Sequence, residues 1–273
     1  VGNGMHLGIV EYLQHLGADE SVSAIMLYIE SIPDAPGFIR LCREVAARKP
    51  VVALYGGRTP PGAAAAEAHT GAVPSDDQTI ETFLADAGAV RVRSLRQLML
   101  AAKGFGTFPR GLGNRVLIMS NSGGPGVIAS DQAVDAGLHL PTLPAAMAET
   151  LRAALPPEAS VANPVDLLAD AREDRFSMAV TEMAEHASGT FDAVLGIHVV
   201  PFMVDAAPVV AEIARLAATV PVPFMHSMMG TLPGQDDWFR QLEDAGVPAF
   251  ADSEQMAECA GLLAQYRHIV NGL

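Results

Sequence analysis

His69 stands among small residues, Ala68-His69-Thr70-Gly71, late in the stretch GGRTPPGAAAAEAHTGAVPSDD (56–77). An imidazole can act as a nitrogen nucleophile at neutral pH, and small flanks leave it open to a second molecule. A histidine in a surface loop can equally be of no consequence, and the residue alone does not separate the two readings. Glu30 closes the apolar run SAIMLYIE (23–30) at its carboxyl edge. A nucleophilic imidazole needs one ring nitrogen deprotonated, and a carboxylate accepting the proton of the other nitrogen fixes that tautomer. Glu30 fits that part if neighbouring strands bring it to His69; otherwise it is a solvated strand end. The run SNSGGPGV (120–127) leads from a strand into a helix through a glycine turn, where unpaired amides and the helix dipole favour anions. Its candidate phosphate-binding residues are Ser122, Gly123, Gly124 and Gly126, and it lacks the Lys of a Walker loop. A tight strand–helix turn is the plainer reading. Asn163 and Asp166 in ANPVDLL (162–168) are possible ligand contacts, or turn and cap residues.

The remaining chemistry-bearing residues offer less. His6, His15, His139, His186, His198, His226 and His268 show no paired spacing of a zinc site, and no metal site is expected. Ser122 and Ser227 lie near glycines but not in a nucleophile elbow. The 12 methionines suit gap-filling in a core better than a cofactor box.

Positioning these groups falls to strands and helices that alternate along the chain. Strands are expected at 23–30, 50–55, 89–93, 115–120, 192–200, 222–227 and 247–250. Helices are expected near 38–48, 79–87, 95–103, 127–136, 175–186, 206–218, 236–245 and 252–269. The order implies right-handed parallel crossovers in two doubly wound halves. KGFGTFPRGLGN (103–114), with four glycines and a proline, reads as the boundary between a domain at 1–108 and a second at 109–273. In open parallel sheets ligands gather beyond the carboxyl ends of strands, where His69, Glu30 and the glycine turn all fall.

At 273 residues, 50% hydrophobic and 18% charged, the chain has material for two packed cores. Its formal charge of −14 repels nucleic acid. Cys42 and Cys259 lie in apolar helical stretches, so no disulfide framework is expected and a reducing cytoplasm fits. No apolar run approaches the roughly 20 residues needed to cross a membrane. The opening VGNG reads as the start of a fragment of something longer.

Taken in order, YIE (28–30), GGRTPPGAAAAEAHTGA (56–72), SNSGGPGV (120–127), LPPEASVANPVDL (155–167) and AGVPAF (245–250) resemble the NDP-forming acyl-CoA synthetases, relatives of succinyl-CoA synthetase. The resemblance implies an α/β fold of two flavodoxin-like, succinyl-CoA-ligase-like domains with mainly parallel sheets. It implies that His69 becomes phosphorylated, that Glu30 stabilises the phosphohistidine, and that the turn at Ser122–Gly126 faces the phosphoryl group. The reaction implied is acyl-CoA, phosphate and NDP to acid, CoA and NTP, through an acyl phosphate, with no covalently bound cofactor. Its substrates are CoA, phosphate and ADP or ATP. A swinging histidine segment is implied too, and the long Ala/Gly/Pro loop is suited to that motion. Two positions depart from the family pattern: Tyr55 stands where lysine is common, and Ala68 where serine is common. A CoA-binding Rossmann domain and ATP-grasp domains, the latter holding Mg2+ with the nucleotide, are implied as partners on the same chain or another subunit of an oligomer. The 273 residues alone are therefore expected not to turn over. The alternative is a regulatory module of a fused acyltransferase that only senses CoA or acyl-CoA; in those the histidine tends to be replaced.

Overall fold

The computed structural model describes residues 7–71, 75–201, 205–230 and 233–272; His6 and Ala72 lie outside them. Two compact units emerge, one of residues 1–111 with 265–273, the other of residues 112–264. A cut at 108/109 leaves the chain's last residues in the second domain, whereas they pack in the first unit. Tyr266 is the reason: its hydroxyl donates to the Ala46 carbonyl (2.9 Å) and its ring meets Phe105 edge-on at 5.4 Å.

The first unit runs α1 (Ile9–Ala18), β1 (Ile25–Ile29), α2 (Ala35–Ala46), β2 (Val51–Tyr55), α3 (Pro60–Thr70), α4 (Asp77–Asp86), β3 (Val90–Val92) and α5 (Leu95–Thr107). Its sheet has the order β1-β2-β3, all parallel, with Ile25 opposite Val51 and Val52 opposite Val90. Parallel neighbours need crossovers, which the helices supply. Side-chain caps set four of their starts: Asp34 accepts from Gly37 N, Thr59 from Gly62 N, Asp76 from Thr79 N and Ser94 from Gln97 N. Ile25, Leu27 and Ile29 alternate inward and join Phe38, Val45, Ile80 and Leu84 in one core.

The second unit runs β4 (Val116–Ser120), α6 (Gly123–Asp135), α7 (Ala145–Ala154), β5 (Ser160–Val161), β6 (Val165–Asp166), α8 (Glu173–His186), β7 (Ala193–Val199), α9 (Ala207–Ala217), β8 (Phe224–Met229), α10 (Gln235–Asp244), β9 (Ala249–Phe250) and α11 (Ser253–Gly272), whose last turns return to the first unit. Its sheet order is β5-β6-β4-β7-β8-β9, parallel except for the β5–β6 pair. From β4 the chain travels one way to β6 and then crosses to the other side at β7. The order therefore reverses between β4 and β7, where a doubly wound sheet opens a crevice at its carboxyl edge.

Three expectations need correction. Residues 60–70, read as loop, form α3: Thr59 accepts from Gly62 N (3.3 Å), Pro60 fits a first helical position, and Gly71 closes the end at φ 70°. Five alanines between these signals are the best helix formers available. The glycines of 103–107 lie within α5, held there by Leu98, Leu100, Ala101 and Phe105 in the core. Finally, α6 starts at Gly123 rather than Val127, with Pro125 in the first turn, where a missing N–H costs nothing. No helix among the described residues is long and apolar enough to cross a membrane.

Two histidines lie inside the second unit without hydrogen-bond partners at His198 Nδ1, His226 Nδ1 and His226 Nε2. Gly196 makes room for one of them, since a Cβ there would sit 2.7 Å from His226 Nδ1. The rings lie 6.4 Å apart beside Phe176 and Phe224. Burial pushes His198 down to about 4; burial, and then the neighbouring His198, push His226 down to about 3. Both are thus neutral in the fold and protonate in the unfolded chain below pH about 6.5. Their contribution to stability is complete above that pH and lost as pH falls toward the folded values. Between pH 7.5 and 5.5 the two should together cost about 3 kcal/mol of unfolding free energy. Urea titrations at the two pH values check this: in His198→Leu/His226→Leu the loss should shrink by that amount, and an unchanged loss refutes it.

Candidate active site

Strand pairing and one helix assemble the first group of residues. The β1–β2 register sets Ile29 opposite Tyr55, and Gly56 N donates to Ile29 O (2.8 Å), so Glu30 emerges beside the Gly56-Gly57 turn. Gly57, at φ 83°, lets α3 fold back closely over the end of β2: a Cβ on it would lie 3.4 Å from both Ala63 Cα and Ala66 Cβ. Ala63, Ala66 and His69 recur at three-residue spacing and share that face of α3. The face carries His69 to Glu30, with Nδ1 3.2 Å from Oε2. The imidazole side chain is 75% exposed and the carboxylate 22%. With Nδ1 directed at the carboxylate, Nε2 is the nitrogen presented to a second molecule.

Glu30 has a second partner, which the sequence reading did not single out. The Tyr28 hydroxyl donates to Oε1 (3.0 Å), so each carboxylate oxygen faces one group. Tyr28 first, and His69 after it, hold the Glu30 carboxyl below the usual carboxylate range. The same bond raises the Tyr28 phenol. A Glu30 that stays ionised can only accept, so Nδ1 carries the proton that faces it, and in the neutral ring the lone pair then lies on Nε2.

In the second unit the glycine run forms the first turn of α6. Ser122 occupies the N-cap position without a side-chain cap bond. Its backbone is pinned instead by Ser120, whose hydroxyl donates to Ser122 O (2.7 Å) and accepts from Ser122 N (3.0 Å). Gly124 faces open space, and a Cβ on Gly126 would touch Pro164 and Ser120 at ordinary contact distance. A Cβ on Gly123 would come within 3.1 Å of Asp166 Oδ2. Asp166 therefore stands at the helix start, its other oxygen accepting from Leu168 N (2.9 Å). Asn163 is occupied elsewhere, on the backbone: Oδ1 accepts from Ile118 N (3.0 Å), and Nδ2 donates to Val116 O (2.9 Å) and Pro141 O (3.0 Å).

Asn121 also escaped the sequence reading. Its buried side chain accepts from Val199 N (2.7 Å) and donates to Val199 O (2.9 Å), clamping the ends of β4 and β7 at the crevice. A lone amide between two serines just past an apolar strand was the available signal. On α8, Glu182, Glu185 and His186 bring one potential ligand atom each within 4.8 Å of one another, but His186 Nδ1 is already engaged by the Glu182 carbonyl (3.1 Å).

Fold and site together define a pair of flavodoxin-like α/β units, one bearing an exposed histidine–carboxylate pair and the other a glycine-rich helix start. Residues 1–105 match the family described as succinyl-CoA ligase like flavodoxin domain, and residues 116–271 match the ligase-CoA domain. The chain belongs to the family of NDP-forming acyl-CoA synthetases. It is 32% identical over its whole length to the alpha subunit of ADP-forming acetate–CoA ligase II of Pyrococcus furiosus, covering 60% of that protein. It is 30% identical over 98% of its length to ADP-forming acetate–CoA ligase I of Archaeoglobus fulgidus, covering 38% of it. Among solved structures, the acetyl-coenzyme A synthetase 1 of Ca. Korarchaeum cryptofilum, in complex with phosphate and ADP, aligns with a TM-score of 0.91 at 25% identity. That alignment takes in 99% of this chain and 59% of the other. The chain thus spans about 60% or less of the relatives it matches.

Proposed function

We propose that this chain is the phosphohistidine-carrying part of an NDP-forming acyl-CoA synthetase, with His69 as the carrier and Glu30 as the group that holds its ring. The 3.2 Å contact between His69 Nδ1 and Glu30 Oε2 carries the reading, because it leaves Nε2 as an exposed nucleophile. Phosphate displaces CoA from acyl-CoA to give an acyl phosphate. The Nε2 lone pair then forms an N–P bond as the P–O bond to the acyl group breaks and the carboxylate departs. The ring keeps its Nδ1 proton, and its growing positive charge is met by Glu30. NDP then takes the phosphoryl group and frees the imidazole.

The amides of Gly123 and Gly124, with Ser122, are the elements of the second unit suited to a phosphoryl group. Asp166 beside them makes that helix start more acidic than a bare one and would favour a phosphoryl group only transiently held. The helix α3 suits a shuttle in its own way: residues 60–69 include no fully buried one, so little apolar area holds them against the sheet. CoA, phosphate and ADP or ATP are the substrates. CoA-binding Rossmann and ATP-grasp domains, the latter with Mg2+, are the partners that complete the enzyme, in an oligomer within the cytoplasm.

The test is to supply the complete enzyme with labelled phosphate and acyl-CoA and map the label. Acid-labile, alkali-stable label on the peptide containing His69 is the expected result. Label on any other residue, or none during turnover, would overturn the assignment.

A further inference from the structure

We infer that Tyr28 is a positioning residue for His69, acting through Glu30; the inference rests on the carrier role proposed above. Tyr28 lies in β1 and Glu30 directly follows its last residue, and the phenol donates to Oε1 at 3.0 Å while the imidazole faces Oε2 at 3.2 Å. A glutamate at a strand end has three rotatable bonds, and one contact with a largely exposed ring does not fix them. The phenol supplies the second point of attachment. It directs Oε2 at Nδ1 and, as a donor, favours the ionised carboxylate that must accept the ring proton.

Packing does not account for this tyrosine. It is 61% exposed, on the face of β1 opposite Ile25, Leu27 and Ile29. The chain has nevertheless made space for its hydroxyl: a Cβ on Gly56 would lie 3.1 Å from it and 3.6 Å from Cζ, with Glu30 Cγ at 3.7 Å. A phenol, a carboxylate and an imidazole stand in series, beside a glycine where a methyl group would press on the hydroxyl, and the series ends at Nε2.

Tyr28→Phe keeps the ring and removes only the bond, and an exposed site should tolerate it. In the 273-residue chain with 15N-labelled histidine, the His69 resonances, assigned by their loss in His69→Gln, report the tautomer. At pH above the ring's titration the parent should hold the proton on Nδ1, and Tyr28→Phe should show the Nε2-protonated form as well. In the complete enzyme the same variant should form phosphohistidine about tenfold more slowly, the loss falling on kcat rather than on KM for acyl-CoA. Gly56→Ala should shift both readouts in the same direction by crowding the hydroxyl. An unchanged tautomer in Tyr28→Phe overturns the inference, even if His69 carries phosphate. A shifted tautomer in a protein whose His69 never takes up label upholds the positioning and overturns the function proposed above.

Discussion

His69→Asn is expected to take up no acid-labile label from phosphate and acyl-CoA, and Glu30→Gln to take it up more slowly by a factor of up to about 10⁴. The first follows from chemistry: an asparagine amide has no nitrogen lone pair able to form an N–P bond. For the second, the amide of Gln can still sit beside Nδ1. It can, however, offer its NH2 to the ring, which then holds its proton on Nε2, the nitrogen that must attack. Its neutral oxygen also fails to offset the positive charge that grows on the ring. Loss of a tautomer-fixing carboxylate in the Ser-His-Asp triad costs about 10⁴ in rate, or roughly 5.4 kcal/mol, and the arrangement at Glu30 differs mainly in exposure. Solvent around a 75% exposed imidazole can supply part of the missing stabilisation, so 10⁴ is the upper end of the expected loss. Quenched-flow measurement of label uptake separates this from weakened binding. Wild-type uptake by Glu30→Gln would remove the carboxylate from the mechanism, and label persisting in His69→Asn would move the nucleophile elsewhere.

The sequence discloses the dyad only as a strand-end carboxylate and a histidine in the long stretch that follows the next strand. Their meeting depends on the β1–β2 register and on α3, and α3 is the element that local reading missed. Its signals, Thr-Pro-Pro-Gly at the start and Gly at the end, are turn residues and helix punctuation alike. Only the alanines between them distinguish the two, and they mark no buried stripe, since none of residues 60–69 is fully buried. The long helices α2 and α8 are legible because burial of one face imposes periodicity on them, and β7 because burial on both faces makes it a continuous, mostly apolar run. Pairs of two residues, such as β5 with β6, carry no period to read. The roles of Tyr28 and Asn121 were hidden for another reason. Each acts through one hydrogen bond partner, or one strand, fixed by tertiary structure, and neither residue type announces that partner in advance. Polarity marks Asp166 and Asn163 alike in the sequence, but Asp166 stands beside Gly123 at the helix start while the Asn163 amide is bonded to the backbone of Val116, Ile118 and Pro141.

Asn163→Ala should lower the unfolding free energy by about 4 kcal/mol, because its side chain substitutes for a stretch of strand. Along this edge β4 is served first by His139, whose carbonyl accepts from Val116 N (2.8 Å), and later by β6, which pairs with Met119 and Ser120. Between those two contacts lie Val116 O and Ile118 N, and Asn163 satisfies both while also tying down Pro141 O. Alanine leaves one buried donor and two carbonyls unmatched, at about 1–3 kcal/mol for each group that water fails to reach. For a unit of this size that corresponds to a fall in Tm of about 10 °C. Asn163→Asp should be no better, since it keeps the acceptor for Ile118 N but turns an anion toward two carbonyl oxygens. Calorimetry on the two variants, with phosphate uptake scaled to the folded fraction, decides between this role and ligand contact. Uptake per folded molecule should match the parent, because the amide is spent on the backbone. A variant of parental stability that binds phosphate weakly would instead place Asn163 in the site and leave the gap in β4 to be filled by something else.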